Sequence, residues 1–261
     1  MDVERVASEG PLGVLLCDMC HVHEWGLTNL TRVTPEALRT FPVFKELGDP
    51  VLARIAAASL AQHYDEGELV IGHTDTSFDV LLLISGMARV SLYSADGQRV
   101  GFLEMPRGMM FGEISALDGL PRSVSVEAGE PSIVAKLPRN RFLELMEEHP
   151  AFAIAVARQL AGHVRRLTTR VFEFSTMAVR QRLWAELLRL AVPAREGADT
   201  GQIANLPTHA ELASRISTHR EAMSREMAWL DGKGLVRKQG RSLLIPSLAA
   251  IRHLLDDSQE S

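Results

Sequence analysis

The hydrophobic pattern of the 261-residue chain is strand-like in its first half and helical in its second. Between residues 62 and 137, turn residues interrupt short apolar runs, for example at 69–72, 80–84 and 88–93. Many closely spaced short runs predict short strands and favour a β-barrel or a sandwich. An Asp-Gly step at 96–97 is a strong signal for a hairpin between two of these strands.

Helical periodicity borders this strand segment on both sides. Thr34 followed by Pro35 predicts a helix start, and a second short helix is expected over 49–60. After the strands, a short helix is expected over 141–148, and Pro150 is expected to open a long one. Beyond it, a further amphipathic helix and a polar loop lead to the C-terminal segment.

The long helix has a narrow apolar stripe whose positions alternate spacings of three and four residues. An apolar face of this kind also occurs on a helix that packs against its own domain. The narrowness of the stripe, with charges such as Arg165 beside it, favours a parallel coiled-coil dimer. The stripe residues are Ala157, Leu160, Val164, Leu167, Val171 and Phe174.

Composition and charge narrow the class of protein. The sequence contains no apolar run long enough for a membrane span, and its acidic start differs from a basic signal peptide, so a cytoplasmic protein is expected. Its two cysteines rule out a disulfide framework. The net charge is −5, but residues 207–245 hold seven basic and four acidic residues, an excess of three positive charges. A local basic surface of this kind suits contact with phosphates.

A candidate anion-binding segment lies at 111–125 and begins Phe-Gly-Glu. Gly112 lets the backbone approach an anion, and a short helix after it would direct free N–H groups at that anion. Arg122 can bind a phosphate with two N–H groups, and Glu113 can accept a hydrogen bond from a sugar hydroxyl. The residues alone also allow a surface turn with an ordinary salt bridge.

The C-terminal segment contains two candidate capping boxes ten residues apart. Thr208 precedes Glu211, and Thr218 precedes Glu221, so two short helices with a tight turn are expected. This arrangement is typical of a helix-turn-helix, and residues 232–245 then predict two small strands with a basic turn, a wing. A solvated charged helix on a small bundle is the alternative.

The segment at 111–125 resembles the phosphate-binding cassette of the cyclic-AMP receptor/fumarate-nitrate regulator (Crp/Fnr) family, in which Phe-Gly-Glu precedes Arg-Ser/Thr-Ala by about nine residues. The resemblance implies an α+β fold, with a jelly-roll barrel that binds a cyclic nucleotide, a dimerisation helix and a winged helix-turn-helix. It implies phosphate contacts for Gly112, Arg122 and Ser123, and a ribose 2′-hydroxyl contact for Glu113. Val124 replaces the family's alanine. The nucleotide-binding residues expected in addition are Ile114, Ser115 and, at the base, Thr168 and Thr169.

The second candidate helix resembles the family's recognition helix, Arg-Glu-Thr-Val-x-Arg. The resemblance places Arg220, Glu221 and Arg225 at base-contacting positions and implies a half-site similar to TGTGA. Ala222 replaces the family's threonine, and Ser217 replaces a frequent glycine at the turn. The further DNA-binding residues expected are Thr218, His219, Ser224 and Arg241.

Together with these patterns, the family resemblance implies a dimeric transcription regulator that responds to cAMP or cGMP and binds palindromic double-stranded DNA, with RNA polymerase as a possible further partner and no membrane. The expected division is an N-terminal extension (1–34), a nucleotide-binding domain (35–149), a dimerisation helix (150–174) and a DNA-binding domain (175–261). No catalytic constellation or P-loop is present in the sequence, so no enzyme is expected.

A cysteine–histidine cluster in the extension supports an alternative signal. Its members have the spacing of a metal knuckle, and thiolate plus imidazole suits zinc. Two cysteines alone are a weak motif, so no metal is expected, but metal or redox gating of the same DNA-binding domain stays open. The cluster consists of Cys17, Cys20, His21 and His23.

Overall fold

The computed structural model describes residues 30–93 and 99–257. These residues form an antiparallel β-barrel, a long helix and a helical C-terminal domain with a small sheet. The observed architecture confirms the predicted fold class. Within the described residues, no helix is both long and apolar enough to cross a membrane.

The barrel consists of two antiparallel sheets and four helices that cover one of them. Its elements are β1 (Leu30–Arg32), α1 (Pro35–Leu38), a 3-10 turn (Pro42–Phe44), α2 (Asp49–Ala58), β2 (Leu60–Tyr64), β3 (Leu69–Ile71), β4 (Val80–Ser85), β5 (Met87–Tyr93), β6 (Arg99–Pro106), β7 (Met110–Phe111), α3 (Glu113–Asp118), β8 (Ser125–Ala128), β9 (Ser132–Leu137) and α4 (Arg139–Glu148). One sheet has the order β1-β2-β9-β4-β7 and the other β3-β8-β5-β6.

Helix α5 (Pro150–Thr176) follows the barrel and leads to the winged-helix domain. The elements of this domain are α6 (Val179–Leu190), β10 (Val192–Pro193), β11 (Gly201–Ile203), α7 (His209–Arg215), α8 (Arg220–Gly232), β12 (Arg237–Gln239), β13 (Ser242–Ile245) and α9 (Leu248–Asp257). Its four strands form one antiparallel sheet in the order β10-β11-β13-β12. Strands β12 and β13 are the two predicted strands of the wing.

Packing against the barrel fixes the first turns of α5. Phe152 and Val156 are completely buried in the core that the first sheet shares with α1, α2 and α4. The Phe152 ring stacks on Phe44 at a centroid distance of 5.5 Å and meets Phe142 edge-on at 5.8 Å. Burial of side chains this large is the main source of stability in a core, so the start of α5 is firmly held. This anchor determines which face of α5 meets the barrel.

Most of the local predictions for the barrel are confirmed. Thr34 caps α1, since its hydroxyl accepts a hydrogen bond from the Ala37 N–H at 3.3 Å. Helix α2 ends at Ala58, because the chain continues at Leu60 as strand β2. Strands β5 and β6 pair in antiparallel register as the hairpin requires. The predicted Asp-Gly turn at 96–97 lies outside the described residues.

One helix-start prediction is wrong. Thr208 and Glu211 form the predicted capping box at α7, but α8 starts after His219, and no side chain caps it. The Thr218 backbone N–H instead donates to the Ala213 carbonyl at 2.9 Å and closes the turn. Thr218 therefore belongs to the turn, and α8 begins one residue later than the box predicts.

Candidate functional site

Gly112 links strand β7 to helix α3 in a conformation that needs glycine. Its φ of +81° lies in the left-handed region. A Cβ atom at this position would lie 2.6 Å from Arg122 Nη1 and 2.9 Å from Leu81 Cδ1. The glycine therefore allows the Arg122 guanidinium to lie directly against the backbone at the start of α3.

The Arg122 guanidinium is buried, and protein oxygens hold it in place. It donates from Nη1 to the Gly112 carbonyl at 2.9 Å, from Nη2 to the Asp79 carbonyl at 2.7 Å, and from Nε to Ser77 Oγ at 3.2 Å. A guanidinium has five N–H groups, so two are left by the contacts described, one on each terminal nitrogen. Burial lowers the pKa of Arg122, and the carboxylates of Asp79 and Asp75 oppose that effect. The sequence did not single out Ser77 or Asp79.

The Glu113 carboxyl is also buried and is contacted by helix α5. Gln159 Nε2 donates to the Met110 carbonyl at 3.0 Å and lies 3.4 Å from Glu113 Oε1, while His163 Nδ1 lies 3.5 Å from the same oxygen. Burial raises the pKa of Glu113 and lowers that of His163. Both effects disfavour a fully charged pair, so the carboxyl and the imidazole form a polar contact rather than a strong ion pair.

Gln159 and His163 were missed by the sequence reasoning, which placed the polar contacts of α5 at Thr168 and Thr169. Both threonines are exposed, and their hydroxyls donate to carbonyls of their own helix, at 3.0 and 3.1 Å. The signal for the missed pair is a spacing of four residues, which places two polar side chains on one face of a helix. The anchor at Phe152 turns that face toward the barrel.

The other predicted residues of the cassette differ in exposure. Ser115 is buried within α3, and its carbonyl accepts a hydrogen bond from the Gly119 N–H. Ile114 and Ser123 are exposed, while Val124 is half-buried against the core between the two sheets. The structure thus brings Gly112, Glu113 and Arg122 together at one site, with Ser123 adjacent in sequence.

The apolar stripe of α5 packs against the barrel only along the first turns of the helix. Leu160 still packs against the barrel core. Farther along, Val164, Leu167 and Val171 are 61–64% exposed, an unusual exposure for aliphatic side chains that share one helix face. Phe174 is 39% exposed at the end of the stripe, and Ala157 is exposed near its beginning.

Helices α7 and α8 form a helix-turn-helix whose second helix has a solvent-facing polar side. The turn contains Ser217 with a φ of +50°, the left-handed conformation for which glycine is suited. Arg220, Glu221 and Arg225 are exposed on α8. The opposite face of α8 is buried in the core of the domain and consists of Met223, Met227 and Leu230.

Two further predicted DNA-binding residues have specific surroundings. The Ser224 hydroxyl lies 2.9 Å from His209 Nδ1 at the start of α7. Burial lowers the pKa of His209, and the positive charges of Lys238 and Arg220 add to that effect. Arg241 is exposed in the turn between β12 and β13. The cations near His209 are Lys238 of the wing and Arg220 of α8.

The predicted metal cluster, Cys17, Cys20, His21 and His23, lies outside the described residues. Within 30–93 and 99–257, no group of three or more His, Cys, Asp or Glu side chains is placed to hold a metal ion.

Comparison with known proteins identifies both halves of this arrangement. Residues 61–149 match the cyclic nucleotide-binding domain family, and residues 181–254 match the Crp-like helix-turn-helix domain family. The chain thus falls in the class of DNA-binding transcription regulators that join these two domains. It belongs to the Crp/Fnr family of transcription factors.

Individual relatives are similar over most of their length. The cyclic AMP receptor protein of Thermus thermophilus is 30% identical over 174 residues, which cover 67% of this chain and 78% of the relative. The CRP-like cAMP-activated global transcriptional regulator of Mycobacterium tuberculosis is 23% identical over 213 residues, covering 80% and 94%. A solved transcriptional regulator of the CRP family, also from Thermus thermophilus, has a TM-score of 0.59 at 25% identity, covering 75% of this chain and 96% of that one.

Proposed function

We propose that this protein is a dimeric transcription regulator that binds a cyclic nucleotide in its barrel and palindromic DNA through its winged helix-turn-helix. In this proposal the nucleotide-binding domain spans 35–149, the dimerisation helix 150–174 and the DNA-binding domain 175–261, with an extension at 1–34. The arrangement of Arg122 against Gly112 at the start of α3 is the observation that supports nucleotide binding most directly.

The cassette has the donors and the acceptor that a cyclic nucleotide needs. The two remaining N–H groups of Arg122 match the two oxygens of a phosphodiester, which a guanidinium binds as a fork. Ser123 can add a hydroxyl donor. The buried Glu113 carboxyl can accept the hydrogen bond of a ribose 2′-hydroxyl, in place of its contacts with Gln159 and His163.

We also propose a base site at Thr168 and Thr169 of α5, as the family resemblance implies. His163 marks where α5 meets the ribose-binding carboxyl of Glu113. An α-helix rises about 1.5 Å per residue, so Thr168 lies about 7.5 Å farther along α5. The threonine hydroxyls would then exchange their bonds within the helix for bonds to the base.

Relatives favour cAMP over cGMP as the nucleotide. Two of the similar proteins have cyclic AMP in their names, and each aligns over two thirds of this chain or more. Ser123 itself is compatible with either nucleotide. The test must therefore compare the two ligands directly.

The exposed stripe of α5 supports the dimer. Aliphatic side chains that are more than half exposed along one face gain stability when a second copy covers them. A symmetric dimer would present two copies of α8 to successive major grooves of a palindromic site. The exposed Arg220, Glu221 and Arg225 would contact the bases. The residues that would contact the DNA backbone and the outer base pairs of the site are Thr218, His219, Ser224 and Arg241.

Calorimetric titration with cAMP and with cGMP tests the pocket. The protein is first stripped of nucleotide, and the Arg122→Lys variant keeps the charge but loses the fork. Arg139→Gln is the matched control, since Arg139 Nε donates to the Ala116 carbonyl of α3 at 2.7 Å and supports the same helix. We expect saturable binding of one nucleotide by the wild-type protein and by Arg139→Gln, and a loss of at least about tenfold in Arg122→Lys.

Two other results of the titration would contradict the proposal. Equal loss in the Arg122 and Arg139 variants would mean that Arg122 acts only through the fold of the cassette. Absence of binding of either nucleotide to wild-type protein would refute the nucleotide proposal. The hypothesis of metal or redox gating at Cys17 and Cys20 would then be tested next, by metal analysis with Cys17→Ser and Cys20→Ser as controls.

Binding to a duplex with two TGTGA half-sites tests the DNA-binding domain. Arg220→Ala and Arg225→Ala are expected to lose discrimination between this duplex and one with altered half-sites, by about 1–3 kcal/mol for each base contact. Arg241→Ala, a phosphate contact, is expected to weaken binding to both duplexes and to reduce its salt dependence. Unchanged discrimination in the two α8 variants would refute the assignment.

A further inference from the structure

Ser77 holds one particular nitrogen of the Arg122 guanidinium. The Nε atom carries a single N–H group, and it donates that group to Ser77 Oγ at 3.2 Å. The terminal nitrogens Nη1 and Nη2 carry two N–H groups each, and each donates one of them, to the carbonyls of Gly112 and Asp79. The bond to Ser77 therefore uses up the donor capacity of Nε, while each terminal nitrogen keeps one N–H group.

A guanidinium can bind an anion through two different edges. One edge consists of Nε and a terminal nitrogen, and the other consists of the two terminal nitrogens. Each edge offers two parallel N–H groups, so each can hold two phosphate oxygens as a fork. Because Ser77 occupies Nε, the edge formed by Nη1 and Nη2 of Arg122 is the one that is left for a ligand.

The loop that carries Ser77 is bonded to the segment that carries Arg122. This loop spans 72–79, between β3 and β4. The Thr74 N–H donates to the Arg122 carbonyl, and the Arg122 N–H donates to the Asp75 carbonyl, both at 2.9 Å. Thr74 has a φ of +72°, which is an unusual conformation for a β-branched residue. Strain of this kind persists only where the surroundings hold the backbone, so the hydroxyl of Ser77 reaches Arg122 from a well-fixed loop.

We propose that Ser77 is a positioning residue of the nucleotide site, which fixes the rotation of the Arg122 guanidinium so that Nη1 and Nη2 face the cyclic phosphate. This inference rests on the function proposed above. Arg122 is 3% exposed, so protein acceptors rather than solvent set its orientation. Each exocyclic oxygen of the phosphate then meets one particular terminal nitrogen. Without the Ser77 hydroxyl, Nε would compete with Nη1 and Nη2 for the same two oxygens, and that fixed pairing would be lost.

Three variants of the loop separate the hydroxyl of Ser77 from the fold around it. Ser77→Ala removes the hydroxyl and leaves the carbonyl contacts of Arg122 in place. Ser77→Thr keeps the hydroxyl, and the exposed position leaves room for the added methyl group. Thr76→Ala is the matched control, because it removes an exposed hydroxyl from the same loop without touching the three described contacts of the guanidinium.

Two measurements on the full-length protein test the proposal. The first is hydrogen exchange of the Arg122 Nε–H, followed by NMR in nucleotide-free protein, and we expect it to be faster in Ser77→Ala. The second is the Kd for cAMP, or for cGMP if the titration above selects it, and for the Sp and Rp phosphorothioates of that nucleotide, in which sulfur replaces one or the other exocyclic oxygen. In Ser77→Ala we expect the Kd of the nucleotide to rise about 2- to 10-fold, and the ratio of the Sp and Rp values to move toward one. Ser77→Thr and Thr76→Ala should keep the wild-type Kd and ratio.

Three results would overturn the proposal. An unchanged ratio or unchanged Nε–H exchange in Ser77→Ala would show that the guanidinium keeps its orientation without the hydroxyl. An equal effect in Thr76→Ala, or no recovery in Ser77→Thr, would assign the effect to the fold of the loop. Binding of neither nucleotide to the wild-type protein would remove the proposed function and this inference with it, whereas binding without the expected change of ratio would leave the proposed function in place.

Discussion

Replacement of Gly112 by alanine tests the close packing of the cassette most sharply. Two costs arise. The left-handed backbone at φ +81° costs an alanine about 1–2 kcal/mol. The new Cβ also meets Arg122 Nη1 and Leu81 Cδ1 at distances under 3 Å, and overpacking of this kind costs about 1–3 kcal/mol more. We therefore expect Gly112→Ala to lower the free energy of unfolding of the barrel by about 2–5 kcal/mol.

Gly119→Ala separates the two costs. Gly119 ends the same short helix with a φ of +70°, but the nearest atom to a Cβ there is Arg139 Nη2 at 3.7 Å, an ordinary contact. Alanine at this position bears the backbone strain alone, about 1–2 kcal/mol. The lower entropy that alanine gives the unfolded chain is common to both variants and cancels in the comparison.

Hydrogen exchange of strand β4 provides the measurement. Val80 to Leu83 are completely buried, so their amides exchange only when the barrel opens. We expect exchange to be about 5–30 times faster in Gly119→Ala than in the wild type, and a further 5–150 times faster in Gly112→Ala. Equal exchange in the two variants would refute the reasoning, because it would show that Arg122 moves away from the new Cβ at no cost.

Three further outcomes are expected. Ser217→Gly relieves the left-handed strain in the turn of the helix-turn-helix and should stabilise the winged-helix domain by about 0.5–1 kcal/mol. The fluorescence of Trp184 and Trp229 during denaturation measures this change, and a loss of stability would contradict the prediction. Leu167→Glu places charge on the exposed stripe and should weaken the dimer at least about tenfold in sedimentation, whereas an unchanged dimer would place the interface elsewhere. Burial raises the pKa of Glu113 above its ordinary 4.5, so ionisation of this carboxyl lowers the stability of the fold as pH rises. Glu113→Gln should therefore be more stable than the wild type at pH 7. This difference should vanish when unfolding is measured below pH 4.5.

Local patterns in the sequence were sufficient for most of the elements. The capping box of Thr208 and Glu211 succeeds because both of its hydrogen bonds lie within four residues. The equally regular pair at Thr218 and Glu221 fails because the turn before it takes up the Thr218 N–H. A capping motif therefore predicts a helix start only where the preceding backbone leaves the cap free, and that depends on the turn.

Contacts between distant segments could not be predicted in the same way. The periodicity of α5 predicts a stripe, but the rotation of the helix against the barrel depends on the rings of Phe44, Phe142 and Phe152. That rotation brings Gln159 and His163 to Glu113. Their spacing of four residues places them on one face of α5, but no pattern in the sequence indicates that this face meets Glu113. The partners of Arg122 at 77 and 79 likewise lie over forty residues away in the chain.

The two ends of α5 suggest how the barrel and the winged-helix domain are coupled. Near its first half, Gln159 and His163 contact the carboxyl that is proposed to bind the ribose, so a nucleotide must compete with them. In its second half, Arg170 pairs with Glu186, which also pairs with Arg215. A ligand shifts an equilibrium only through contacts that differ between the two states. Release of Glu113 from α5 is such a difference, and because α5 is one continuous helix, a change in its position at His163 reaches Arg170 and, through Glu186 of α6, Arg215.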